Sequence, residues 1–238
     1  MNRNQLKIIA CISMFIDHAG YLLFPQISAF HHIGRIAMPI FAFFIAEGCL
    51  YTRNIKKYFL RVFFLGMICQ SVYIIEGILT KSSGGGYLNI LLTFSVSILL
   101  CSTFLKAKES IKNKTDPHNI FTFLLCLLSV IAADNLCKKS FALIGVGVEF
   151  DYGIYGIVLP FFAVISKNRN IRLILFSLAQ TLFAFTYYKS IGLALCSLIP
   201  LILLMFYNGQ SGKRNLKYFF YAFYPCHLVL IYLFDLII

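Results

Sequence analysis

The chain has 238 residues, of which 60% are hydrophobic and only 13% charged, against roughly 25% charged in a soluble domain. That balance excludes a soluble fold, and a mean hydropathy of +0.82 points to a polytopic membrane protein. The net charge of +12 would suggest a nucleic-acid partner on a soluble protein. In a membrane chain its placement along the sequence carries the meaning instead, and no nucleic acid is expected.

The first apolar run, residues 6–25, is about the length needed to cross roughly 30 Å of hydrocarbon. No small-residue cleavage site follows it, so it reads as a crossing rather than a removed leader. It contains Asp17 and His18. The second run, 33–52, carries Arg35 near its start and Glu47 near its end. Further runs lie near 57–79, 87–105, 119–137, 143–166, 171–187, 190–207 and 217–237. The prediction is an all-α bundle of about nine transmembrane helices forming a single domain over 1–238, without an internal repeat.

The breaks carry loop signals: Thr52-Arg53-Asn54, the glycine-rich stretch 82–86, Asn113 to Pro117, Lys167 to Asn170, and Asn208 to Gly212. Residues 82–86 read as a flexible loop, since no Gly-Lys-Ser/Thr follows to make a phosphate cradle. Sixteen of the 21 lysines and arginines fall in alternate breaks or in the run ends beside them, which places those breaks and the N-terminus in the cytoplasm. Lys81, Lys138, Lys139 and Lys189 fall on the other side, and Arg35 sits within a crossing. On that topology Asp17, His18, Arg35, Asp134, Glu149 and Asp151 lie toward the outer face, and His227 lies near mid-membrane.

Ionisable side chains inside apolar runs cost about 2.5–3.5 kcal/mol at the bilayer centre, so they face a partner or a wet cavity. Each also has a structural reading. Asp17 and His18 could be a buried ion pair joining helices. Arg35 could snorkel to headgroups, and Glu47 and Glu76 read as helix-pairing groups. His31 and His32 read as solvated in a short outer loop. His227 follows Pro225, which frees backbone carbonyls and suits a cavity wall. The eight cysteines never form C-x-x-C and read as small apolar packing residues, so no metal site is expected. No G-x-S-x-G nucleophile elbow occurs.

A histidine held in one tautomer can take a proton from an attacking amine or hydroxyl. Adjacent residues on a straight helix seldom bond each other well, so Asp17 could pair with Arg35 instead. An arginine within reach can stabilise an oxyanion or bind phosphate. Acyl transfer fits that set. A proton-coupled transporter uses similar groups, and the residues alone leave the two open. A transporter often shows two related halves, which this sequence lacks.

The blocks I-D-H at 16–18, G-R-I-A-x-P-I-F-A-F-x-I-A-E-G at 34–48, T-R-N-x-K-K-Y at 52–58, N-x-x-x-T-F at 89–94, D-Y-G-x-Y-G at 151–156 and Y-P-x-H-L at 224–228 together resemble the TraX family. Those integral membrane proteins are linked with conjugation and named for the enzyme that N-acetylates the conjugative pilin. The resemblance runs in order through nearly the whole chain, with the second block the most specific. It implies a multi-pass acyltransferase of the bacterial cytoplasmic membrane that moves acetyl from cytoplasmic acetyl-coenzyme A to an outward-facing amine or hydroxyl. The acceptor could be a pilin or other peptide, an envelope glycan or a lipid.

By the same resemblance His18 is the general base, ordered by Asp17 or Arg35, and Arg35 contacts donor or oxyanion. His227 lines the acyl tunnel, while Arg53, Lys56, Lys57 and Arg61 meet the coenzyme A phosphates. Asn89, Thr93, Asp151 and Tyr152 hold the acceptor. A third possibility is a non-enzymatic membrane component of a conjugation or secretion apparatus.

Overall fold

The computed structural model describes residues 1–80, 87–144 and 149–237. Lys81 and the glycine-rich stretch 82–86 lie outside the described residues. The helices are α1 (Arg3–Leu22), α2 (Ser28–Gly34), α3 (Ala37–Tyr51), α4 (Ile55–Thr80), α5 (Ile90–Asn113), α6 (His118–Ile144), α7 (Gly153–Val164), α8 (Arg169–Tyr187), α9 (Ile191–Met205) and α10 (Lys217–Ile237). Two-residue strands β1 (Tyr87–Leu88) and β2 (Glu149–Phe150) pair in parallel.

Because α2 and α3 together make one apolar stretch, Ser28–Tyr51, the described residues hold nine helical stretches, as the apolar runs predict. Five of them, Ser28–Tyr51, Ile55–Leu79, Ile90–Asn113, His118–Cys137 and Lys217–Asp235, are long and apolar enough to cross a membrane. The protein is an all-α, multi-pass membrane protein.

Asparagine side chains start several helices. Asn2 and Gln5 form a reciprocal capping box on α1, Asn89 caps α5 and Asn168 caps α8, each satisfying amides that the helix leaves orphaned. Outward faces suit hydrocarbon: Leu124, Leu125 and Leu128 on α6 and Ile174, Leu178 and Leu182 on α8 are all exposed. Hydroxyls on such faces turn back on their own helix. Ser129 donates to the Leu125 carbonyl and Thr186 to that of Leu182, which pairs those two hydroxyls within their own helices.

The second apolar run is not one straight helix from its start. It breaks at Arg35–Ile36, and Pro39 supplies the reason. A proline ring inside a helix clashes with the carbonyl four residues back, which is that of Arg35. Arg35 therefore caps α2 rather than opening α3.

Other bounds shift as well. Helix α5 continues past the predicted 105 to Asn113, because Ala107 and Ser110 are buried and Asn119 donates to the Ser110 hydroxyl. Helix α6 runs on through the predicted break at 138 to Ile144. Helix α7 has only 12 residues.

The chain forms two compact units, one of Met1–Phe43 with Asn168–Ile238 and one of Phe44–Lys167. In the first, Leu6, Ile40, Phe176, Leu204, Leu228 and Ile231 are almost wholly buried. The N-terminus is tied in: the Met1 amino group donates to the Phe206 carbonyl at 2.6 Å, and the Arg3 amide donates to Gln210 at 2.8 Å. In the second unit Leu100, Val130 and Ile157 centre a core closed by Phe123, Phe150 and Phe161.

Candidate functional site

The ionisable residues of α1 and α10 meet inside the first unit. His18 Nδ1 lies 2.8 Å from His227 Nε2. The two residues are 209 positions apart in the chain. His227 Nδ1 in turn donates to the Phe223 carbonyl, one turn back on α10, at 2.9 Å. Phe223 stacks on the His227 ring, with centroids 4.9 Å apart and planes 12° apart, and Tyr224 meets that ring edge-on at 5.3 Å. His227 is buried, whereas His18 is partly open. Among the described residues nothing bonds the second nitrogen of His18, Nε2.

The hydrogen bond that holds His18 is made with His227, and Asp17 pairs with Arg35, the alternative that the sequence allowed. Both carboxylate oxygens of Asp17 are engaged elsewhere: Oδ1 accepts from His31 Nδ1 at 3.0 Å and Oδ2 from an Arg35 guanidinium nitrogen at 2.9 Å. The reason is helical geometry, since neighbouring side chains leave the axis about 100° apart. Arg35 Nε donates to the His31 carbonyl at 3.1 Å, and its guanidinium lies over the Tyr188 ring at 5.9 Å. The side chains of Asp17 and Arg35 are 17% and 20% exposed, so this is a shielded pair rather than a rim contact.

The expectation that His31 is merely solvated fails. It is the third member of the Asp17 cluster, positioned by α2, where sequence reading had placed only a loop. The spacing of His31 and Arg35, four apart on a helix, was the signal. His32 donates from Nδ1 to the Ser28 carbonyl at 2.9 Å.

The remaining predicted residues belong to the second unit. Asn89 is buried, and all its polar groups are used there. Its Nδ2 donates to the Gly66 carbonyl at 2.8 Å and to Gln70 Oε1 at 3.0 Å, and its Oδ1 caps the Leu91 amide at 3.1 Å. The Thr93 hydroxyl donates to the Asp151 carbonyl at 3.2 Å, and Ser97 donates to the Gly156 carbonyl.

Tyr152 and Gly153 both take left-handed backbone, φ 59 and 56. The D-Y-G-x-Y-G block thus builds the turn that enters α7. A glycine at 153 avoids the strain that a side chain brings at positive φ. Asn89→Ala should therefore cost about 3 kcal/mol through a lost cap and unpaired buried groups, read as unfolding in detergent. A loss below about 1 kcal/mol would show that those bonds matter little.

Arg53, Lys56, Lys57 and Arg61 are exposed around the start of α4. Asn54 caps that end by accepting from the Lys57 amide at 2.9 Å, and Arg61 Nε donates to the Lys57 carbonyl at 3.0 Å. Exposed cations at a helix N-terminus form an electropositive surface that suits phosphate.

A family model described as TraX protein matches residues 2–235. A probable fimbrial assembly protein FimC, serogroup H1, of Dichelobacter nodosus is 28% identical over 249 residues, covering 95% of this chain and 93% of that protein. An uncharacterized protein of Rickettsia prowazekii (strain Madrid E) is 54% identical over 42 residues, or 18% of this chain and 17% of that protein. No solved structure matches the chain. Since the family model spans almost every residue, including the α1, α2 and α10 positions that make the His18 and Asp17 contacts, the chain belongs to the TraX family.

Proposed function

We propose that the protein is an acetyltransferase of the bacterial cytoplasmic membrane, with its N-terminus inside, that moves acetyl from cytoplasmic acetyl-coenzyme A to an amine or hydroxyl beyond the membrane. One observation carries the reading. His18 is held through Nδ1 by His227 at 2.8 Å inside an apolar helix pair, leaving Nε2 available to a reactant. An imidazole so fixed presents a lone pair that can accept a proton from an attacking group.

In the proposed step the acceptor nitrogen or oxygen bonds to the acetyl carbonyl carbon as its proton passes to His18 Nε2. The carbon–sulfur bond breaks, and the thiolate recovers that proton, so His18 is regenerated. Asp17, Arg35 and His31 hold the neighbouring wall by pairing with one another. The cations Arg53, Lys56, Lys57 and Arg61 suit the phosphates of the donor, which would place that end of α4 on the cytoplasmic side. The relative's name, a fimbrial assembly protein, favours a pilin-like peptide amine among the acceptors.

The test is purified protein in detergent with acetyl-coenzyme A and a peptide bearing a free N-terminal amine. Expected is loss of thioester matched by acetylated peptide, with a thermal shift on adding donor. No donor-induced shift, and flux of a solute in vesicles without thioester loss, would replace the transferase with a transporter.

A further inference from the structure

The contacts around His227 define where the protons sit, and that has a consequence for His18. A backbone carbonyl has no hydrogen to give, so at 2.9 Å from the Phe223 oxygen it is His227 Nδ1 that carries one. A neutral imidazole has a single N–H. His227 Nε2 is then a bare lone pair, and the 2.8 Å contact requires His18 Nδ1 to be the donor. His18 is left with its own lone pair on Nε2.

We infer that His227 is a positioning residue that fixes His18 as its Nδ1–H tautomer, relaying the direction of a helix carbonyl through two rings to the reactive nitrogen.

The geometry is that of a good bond. The His18 and His227 planes differ by only 7°, and the centroids are 5.1 Å apart. That separation equals the bond length extended by the two ring radii, so the N–H points along the lone pair and in both ring planes. His227 has little freedom to turn. Phe223 covers one face, Tyr224 presents its edge at 90°, and the Phe223 carbonyl lies one turn below on the same helix.

Free histidine favours the opposite tautomer, with hydrogen on Nε2, which would make His18 a donor where a base is needed. The relay reverses that preference. When His18 Nε2 takes a proton, the positive charge is shared along Nδ1–H to His227 and ends at a carbonyl dipole, with no buried anion required.

The effect on rate rests on the transferase reading, but the tautomer does not. The experiment is long-range ¹H–¹⁵N spectroscopy on histidine-labelled protein in detergent, with His18 assigned by the signals lost in His18→Gln. Wild type should show His18 protonated on Nδ1 and bare on Nε2. His227→Phe keeps a ring but removes the acceptor, and should move the hydrogen to Nε2. His227→Gln, whose amide oxygen can accept from His18 Nδ1, should restore the wild-type pattern.

In acetyl transfer His227→Phe should lower kcat about 10²-fold or more with KM little changed, and His227→Gln should recover most of it. A wild-type His18 protonated on Nε2, or a His227→Phe spectrum unchanged at His18, would overturn the relay. Should His227→Phe fail to fold, the wild-type spectrum still decides. Absence of turnover in wild type with the expected tautomer would sink the transferase and leave the relay standing.

Discussion

His18→Gln is expected to leave a folded protein that has lost acetyl transfer by about 10²–10⁴-fold, or about 3–5 kcal/mol in the barrier. Glutamine keeps an N–H that can donate to His227 Nε2, so the bond recorded at 2.8 Å survives in kind, while the basic nitrogen is gone. His18→Ala should lose the same activity and also about 1–3 kcal/mol of stability, because the buried His227 is left with an unmatched acceptor. The pair of variants separates chemistry from packing. If His18 only braces α1 against α10, alanine harms both stability and activity, while glutamine harms neither. Activity retained in His18→Gln, measured as thioester consumed per mole of folded protein, would remove His18 from the reaction.

How far the sequence foretold this depends on the kind of fact. Long apolar runs have few alternatives to helix in hydrocarbon, because every backbone polar group must be paired within the segment. The nine stretches were legible for that reason. The break at Arg35–Ile36 was not read from the run 33–52, although Pro39, four residues after Arg35, marks it. The length of α7 was not legible. It depends on β2 pairing with β1 and on the turn at Tyr152–Gly153, and an apolar run carries no mark of either.

At the site, Asp17, His18, Arg35 and His227 stood out because charge is costly among apolar neighbours. Their pairing did not follow. Which of two adjacent residues faces α10 and which faces α2 is a matter of helix rotation, and His18 meets a residue 209 positions away. His31 was hidden because α2 has only seven residues and resembles a loop with two polar residues in it. Asn89, Thr93 and Asp151 show a different limit: a family block marks residues that matter, and here their hydrogen bonds tie the start of α5 to the middle of α4 and to the turn that enters α7.

The Asp17 cluster should cost as much stability when broken as the Asn89 bonds do. Removing one partner of a shielded ion pair leaves the other charge uncompensated, which costs about 3–5 kcal/mol where burial is complete. With the carboxylate 17% and the guanidinium 20% exposed, Asp17→Ala should cost about 3 kcal/mol, since His31 and Arg35 both lose their acceptor. Arg35→Ala should cost less, because His31 still holds Asp17. The double variant should fall short of the sum by about 1–2 kcal/mol, the coupling expected of residues in one network.

Gly34 offers an independent check on the same geometry. A Cβ added there would overlap Asp17 Cγ, Cβ and Oδ1, so Gly34→Ala must displace the whole Asp17 side chain although it alters no charge. Unfolding in detergent should show the two changes together costing less than their sum, because the overlap with Cγ and Oδ1 is gone once Asp17 is alanine and only that with the Cβ remains. Strict additivity of Gly34→Ala with Asp17→Ala would mean that the carboxylate does not rest against α2. The cluster would then be no wall for the histidine pair beside it.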